Sequence, residues 1–339
     1  MSAAASRILG VGTYVPPRVW SNHDLSRLMD TSDEWIQQRT GIKQRHWVDL
    51  NEETGPSDLA LKASLKALEA AKTKKEEIEL IIFATLSPDA FFPGSGCFLQ
   101  AKLGLTDVPA LDIRQQCSGF IYGLSIADQF IKTGTYKKVL LVGAEVHSKV
   151  LDRTTRGRDV SVLFGDGAGA AVIGATDGSA KDGSRVISTH LYADGTHAKE
   201  LWIKAPGTAY AGDSITHERV DEGDFFPKMN GKTVFVHACK KMSESLTRAL
   251  EQQGLRPSDV DLYLFHQANA RITEAVAKQL ELPADKVFNT IDRFANTTAA
   301  TIPIGMDEAI KAGRLKPGML VACAVFGAGF TWATALIRW

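Results

Sequence analysis

A chain of 339 residues, 44% of them hydrophobic, carries enough apolar material for a large core and exceeds one simple domain, so two lobes are expected. Lys plus Arg and Asp plus Glu number 39 each, a balance that leaves no basic footprint for nucleic acid. The four cysteines, at positions 97, 117, 239 and 323, show no C-x-x-C spacing, which implies neither a zinc site nor a disulfide framework and fits a reducing, cytoplasmic setting. Met1 to Arg7 lacks an apolar core of signal-peptide length. Pro317 to Ile337 is uncharged and long enough to cross a bilayer. Its internal glycines and β-branched runs favour two buried strands joined at a glycine turn, so no membrane is expected.

In chain order, Ile8 to Val15 reads as a buried strand, and Thr31-Ser32-Asp33-Glu34 has the spacing of a capping box with Thr31 as cap. Trp35 and Arg39 then share a helix face. That pairing suits stacking on an adenine and gripping a phosphate, although spacing alone favours a half-buried Trp beside a solvated Arg. Leu59 to Ala71 reads as a helix with Leu61, Leu65 and Leu68 on one side, and Glu77 to Thr85 as a fully buried strand. Ser87 to Cys97 is loop-like and carries Phe91, Phe92 and Pro93.

A strand over Val108 to Ile113 runs into Cys117, and a helix follows to about Lys132. At such a strand-to-helix turn, free backbone N–H groups and the helix dipole would lower the thiol pKa from about 8.5. A lone cysteine is otherwise most simply a small buried hydrophobe. Val139 to Gly143 is strand-like, and Phe164-Gly165-Asp166-Gly167-Ala168-Gly169 interrupts an apolar run as a tight turn rather than a phosphate loop. The polar stretch from about 177 to 232 reads as an insertion or linker. Beyond it come a helix marked by Met242, Leu246 and Leu250, and a strand over Asp259 to Phe265 delivering His266-Gln267-Ala268-Asn269. A helix with Ile272, Val276 and Leu280 leads to a strand over Val287 to Ile291, then Asn296 to Ala300, then a helix to Gly313.

The second half repeats the first. Glu77 to Phe83 matches Asp259 to Phe265, nine positions separate Val108 from Cys117 and Val287 from Asn296, and Phe164-Gly165 matches Phe326-Gly327. Two similar βαβ-rich halves, 1–176 and 177–339, are therefore expected, with Cys117 and Asn296 at equivalent turns and His266 at a strand end. A sulfur, an imidazole and a carboxamide converging on one site make a constellation for thioester chemistry.

These residues resemble β-ketoacyl-ACP synthase III, the initiating condensing enzyme of type II fatty acid synthesis in the thiolase superfamily. The resemblance runs nearly end to end: Asp30 to Ile36 with Arg39-Thr40-Gly41-Ile42, Cys117-Ser118-Gly119-Phe120, Phe164 to Ala171, His266 to Asn269, Asn296 to Ala300, and Gly329-Phe330-Thr331-Trp332. It implies an α/β thiolase-like fold of five layers (αβαβα) from two pseudo-symmetric halves, and a homodimer. It further implies that Cys117 takes an acyl group from acyl-CoA, and that the enolate of decarboxylated malonyl-ACP attacks the acyl-Cys117 thioester. His266 and Asn296 would donate to the enolate, and the backbone N–H groups of Cys117 and Ala328 would form an oxyanion hole. Trp35 with Arg158 opposite would sandwich the CoA adenine, with Arg156 as the competing arginine; Arg39 would lie near the phosphates and Asn269 near the pantetheine. Phe92 would shape the acyl pocket across the dimer interface, and Arg271 with Lys278 would meet acyl carrier protein. No metal or redox cofactor is implied, because CoA and ACP thioesters are substrates.

Two features depart from the pattern and bear on acyl preference: Arg114-Gln115-Gln116 before the cysteine, and the long stretch around Trp202 to Phe226. The Cys/His/Asn set argues against elongating synthases, and the absence of a cysteine in the C-terminal glycine loop argues against biosynthetic thiolases. The alternatives are a specialised relative that primes a polyketide pathway or transfers or condenses longer chains, and a non-catalytic partner subunit.

Overall fold

The computed structural model describes residues 5–176, 183–209 and 212–339. Five strands form one sheet in the order Ala5–Tyr14, Gly167–Thr176, Lys138–Glu145, Leu80–Ala84, Ala110–Ile113. Four form a second, in the order Leu262–Phe265, Leu320–Gly327, Thr331–Arg338, Arg185–Ala193. Alternation along each strand splits its side chains between two cores. From Lys138–Glu145, Val139 and Leu141 enter a central core, whereas Leu140, Val142 and Ala144 face an outer one. The central core holds the helices Gly119–Lys132 and Thr301–Lys311 between the sheets. Pro56–Ala70 and Ser95–Lys102 cover the first sheet outside, and Gly231–Gln252 and Ala270–Gln279 the second. The result is helix, sheet, helix, sheet, helix, the five-layered architecture expected.

The duplication follows a constant offset of 182 positions: starts at 75, 80, 119 and 138 recur at 257, 262, 301 and 320. Backbone conformation repeats with it, since Gln116 has φ 44° and Thr298 has φ 51°. This offset corrects one expectation. Cys117 corresponds to Ala299, and Asn296 to Arg114, so sulfur and amide are not at equivalent positions. The error lay in counting from Val287, which makes only an isolated bridge to Tyr263 and is followed by a short helix, Ile291–Phe294, in place of a strand.

Other local readings change for identifiable reasons. Ser32, not Thr31, caps the Asp33–Thr40 helix by accepting the Trp35 N–H at 3.1 Å. The helix Pro56–Ala70 buries Leu59, Ala60, Ala63, Ala67 and Leu68, while Leu65 is 50% exposed. Alanine is required there because the helix lies in backbone contact with the first strand: a Cβ on Gly12 would fall 2.3 Å from the Ala67 nitrogen. Asp112 takes the N–H groups of Ser95 and Gly96 at 2.6 and 2.8 Å and starts a helix where a loop was expected. The turn at Asp166 is closed, as expected: its carboxylate accepts from Val48 N, Ser148 N and Ser148 Oγ.

The stretch 177–232 is no linker among its described residues. Arg185–Ala193 is the edge of the second sheet, and Leu201–Trp202 pairs with Lys228–Met229. The buried Asp224 carboxylate gathers Lys204 Nζ at 2.5 Å and Lys228 Nζ at 2.8 Å, tying this strap together. Pro317 to Ile337 forms two antiparallel strands, and no helix of the described residues is long and apolar enough to cross a membrane.

Candidate active site

Cys117 sits in the turn Gln116–Ser118 that precedes the Gly119–Lys132 helix. Ser118 Oγ donates to the Thr331 carbonyl at 3.0 Å, pinning this turn to the C-terminal strands. Gly327 lies directly against it: a Cβ there would stand 2.6 Å from the Cys117 Cβ and 3.1 Å from its sulfur. The backbone N–H groups of Cys117 and Ala328 both reach the sulfur. They do not produce the depressed thiol pKa expected. Cys117 is 6% exposed, and burial, reinforced by the nearby Glu145 carboxylate, pushes the thiol up to about 12. Desolvation of a thiolate outweighs two backbone dipoles, so the free chain rests as a thiol.

Glu145 is itself fully buried, accepting from Thr85 Oγ1, Leu86 N, Ser87 N and Ser87 Oγ, and burial lifts its carboxyl from 4.5 to about 7. Between those values the folded chain binds a proton that the unfolded chain has released, so stability falls as pH rises through that window. Glu145→Gln is expected to flatten this slope, measured as melting temperature at about pH 5 and about pH 8; an unchanged slope contradicts the assignment.

His266 follows the Leu262–Phe265 strand, its N–H bonded to the Ala324 carbonyl at 3.0 Å. Its Nδ1 lies 2.8 Å from Thr301 Oγ1, and its buried Nε2 has no partner among the described residues. Burial holds the imidazole down to about 3, hence neutral. Asn296 is fixed through its backbone to Leu163 and Gly165, and its Oδ1 accepts the Thr298 N–H at 2.8 Å. That bond orients the amide and leaves Nδ2 for the cavity.

Cys117, His266 and Asn296 line one outer cavity of about 470 Å³. Trp35, Arg39, Asn269 and Arg271 line it as well. The guanidinium carbons of Arg39 and Arg158 stand 4.6 and 4.8 Å from the Trp35 ring centroid. Arg156 instead pairs with Asp152 at 2.6 Å and bonds the Asp221 carbonyl, so of the two arginines it is Arg158 that stands over Trp35. An intercalated base needs roughly 7 Å between its neighbours, two contacts of ~3.5 Å. The Trp35–Arg158 pair is therefore closed and must part to admit one. Asn269 is doubly engaged: its Nδ2 donates to the Arg39 carbonyl and its Oδ1 caps the Ala270–Gln279 helix through Arg271 N. Arg271 and the exposed Lys278 stand two turns apart on that helix.

A second, inner cavity of about 300 Å³ opens on the other side of Cys117. Its walls include Leu86, His147, Phe164, Leu201, Trp202 and Ile203. Phe92 lines neither cavity of its own chain and is 81% exposed, because the Ser87 to Gly94 loop projects outward. Sequence reasoning missed His147, Leu201 and Ile203, although it tied the stretch beginning at Trp202 to acyl preference. The one available signal was the apolar triplet Leu201-Trp202-Ile203 within a polar stretch. Among the described residues no cluster of three or more His, Cys, Asp or Glu side chains could hold a metal ion.

Known proteins with this arrangement are readily found. Residues 111–195 match the family pattern described as 3-oxoacyl-(acyl-carrier-protein) synthase III, and residues 250–339 match its C-terminal counterpart. The β-ketoacyl-(acyl-carrier-protein) synthase III of Caldanaerobacter subterraneus subsp. tengcongensis is 45% identical over 99% of this chain and 98% of its own. That of Xanthomonas campestris pv. campestris is 44% identical over 98% of each. The crystal structure of 3-oxoacyl-(acyl-carrier-protein) synthase III from Aquifex aeolicus VF5 superposes with a TM-score of 0.88 at 40% identity, covering 98% of this chain and 100% of that one. Stacked sheets around a buried helical layer, with a cysteine between two cavities, define a thiolase-fold acyltransferase. Within that class, the chain belongs to the 3-oxoacyl-(acyl-carrier-protein) synthase III family.

Proposed function

We propose that the chain condenses an acyl-CoA primer with malonyl-ACP, releasing CO2 and forming 3-oxoacyl-ACP as the first step of fatty acid synthesis. The observation that carries this reading is the placement of Cys117 between two cavities, with His266 and Asn296 in the outer one. The inner cavity receives the acyl group, and the outer one admits the thioester arm.

In the first half-reaction the Cys117 sulfur attacks the primer carbonyl. The backbone N–H groups of Cys117 and Ala328 hold the oxyanion, and the thiol proton leaves with CoA as its free thiol. In the second, malonyl-ACP loses CO2 while Asn296 Nδ2 donates to its thioester oxygen as the enolate forms, joined by His266 in the tautomer that carries its proton on Nε2, with Nδ1 accepting from the Thr301 hydroxyl. The enolate carbon then attacks acyl-Cys117, and the expelled thiolate takes up one proton. A thiol held near 12 by its surroundings recaptures that proton readily. Trp35, Arg39 and Arg158 bind the CoA nucleotide, with Asn269 along the arm, and Arg271 with Lys278 face the acidic carrier protein. No cofactor is required.

A cytoplasmic homodimer fits this role, with Phe92 closing the partner's acyl pocket. Support for the dimer comes from Phe91, Phe92 and Leu111, exposed beside the outermost strand of the first sheet, an edge that otherwise invites pairing. A monomer by sedimentation contradicts it.

The function is tested by separating the two halves. His266→Ala is expected to keep Cys117 acylation, read by intact mass after acyl-CoA treatment, and to lose malonyl-ACP decarboxylation roughly 100-fold or more. Equal loss of both steps contradicts the division of roles.

A further inference from the structure

One buried imidazole has no part in that scheme. His147 follows the Lys138–Glu145 strand, is 2% exposed and lines the inner cavity beside Cys117, its ring packed against Phe164. Its Nε2 lies 2.6 Å from the hydroxyl of Thr298. Thr298 is fully buried at φ 51°, a left-handed conformation unfavourable for a β-branched residue and sustained only by its surroundings. Two of the contacts around it lead to the site. Its N–H donates to Asn296 Oδ1 at 2.8 Å, and its carbonyl accepts from Thr301 Oγ1 at 3.0 Å. That same hydroxyl stands 2.8 Å from His266 Nδ1. One strained residue thus fixes the Asn296 amide and neighbours the hydroxyl that His266 meets, and the only hydrogen-bond partner of its side chain among the described residues is His147.

We propose that His147 is a positioning residue for the second half-reaction: through Thr298 it holds the Asn296 amide where the malonyl thioester meets it. The inference rests on the condensation proposed above. It distinguishes the two steps, because none of the Thr298 hydrogen bonds leads to Cys117 or Ala328.

Three variants of the full chain test it. His147→Leu fills the space without a hydrogen bond, His147→Gln keeps a polar group within reach, and Thr298→Val removes the hydroxyl while keeping the branched shape. Each is assayed for Cys117 loading, with an acyl-CoA that loads the unaltered chain, and for CO2 release from malonyl-ACP. Thr298→Val, at a residue that lines neither cavity, is expected to slow CO2 release roughly 10- to 100-fold while loading stays within about twofold. His147→Leu is expected to slow CO2 release on the same scale, with most of that loss restored in His147→Gln. The double variant His147→Leu, Thr298→Val is expected to be no slower than the worse single one, because both break one contact. Should His147→Leu fail to fold, Thr298→Val carries the comparison. Equal slowing of loading and CO2 release in Thr298→Val, or unimpaired CO2 release in either Thr298→Val or His147→Leu, overturns the proposal. Failure of the unaltered chain to load at all strikes instead at the condensation reading.

Discussion

Cys117→Ala is expected to abolish the covalent acyl adduct and to lower condensation at least about 10⁴-fold, the scale on which removal of a nucleophile acts. Of the residues common to both cavities, Cys117, Phe164 and Leu201, only the cysteine is a nucleophile, and Ser118 in the same turn is buried with its Oγ donating to the Thr331 carbonyl. His266 and Asn296 keep their own anchors, so malonyl-ACP should still lose CO2 slowly in this variant, giving acetyl-ACP without a new carbon–carbon bond. Intact mass and CO2 release together check this; an acyl adduct persisting in Cys117→Ala would remove the basis of the proposed chemistry. The buried thiol adds a pH signature. With its pKa pushed to about 12, the thiolate fraction grows about tenfold per pH unit across the neutral range. Loading of the unaltered chain should rise accordingly between about pH 6.5 and about pH 8.5, whereas a plateau near neutrality would mean that the sulfur is already ionised.

Gly327→Ala has the second largest expected effect, and it touches no substrate. The added methyl would sit 2.6 Å from the Cys117 Cβ, 3.1 Å from its backbone nitrogen and 3.1 Å from its sulfur. Neither side yields easily, because Gly327 ends the Leu320–Gly327 strand and Cys117 is held by its own turn. Overpacking of this kind costs about 1–3 kcal/mol, and a displacement of ~1 Å at the nucleophile costs about 100-fold in rate. Gly305→Ala is the control. It lies in the Thr301–Lys311 helix, where a Cβ would meet only the Leu264 side chain at 3.5 Å, so the variant should gain stability and keep its rate. Comparable loss in both variants, seen in melting temperature and loading rate, would show that the tight Gly327 contact is not what matters.

The fold was legible wherever hydrophobic period and repetition coincide. Leu80 to Ala84 and Leu262 to Phe265 are uninterrupted apolar runs that sit between covered faces, and their likeness announces the duplication. Cys117, His266 and Asn296 were legible as turn and strand-end residues, and the structure does bring them to one cavity, although the equivalence read between Cys117 and Asn296 fails by three positions. What escaped depends on contacts distant along the chain. The helix at Ser95 exists because Asp112 reaches back seventeen positions to its first N–H groups. The strap at Leu201 to Met229 has little periodicity because its order comes from ion pairs to Asp224 and a two-residue pairing. The state of the Cys117 thiol escaped because dipole arguments see the helix start but not the loss of water around the sulfur.

The 182-position offset has a further meaning for how such a molecule came to have one reaction centre. Carried across the offset, His266 falls on Ala84, Asn296 on Arg114, and Cys117 on Ala299. An ancestor assembled from two identical copies would have possessed a pair of equivalent sites related by rotation. In the present chain one has been silenced with alanine and arginine, and the survivor borrows its sulfur from the first copy and both of its other polar groups from the second. Severed into its two repeats, the polypeptide would leave neither fragment with a complete reactive set, which ties the two copies together more firmly than packing alone.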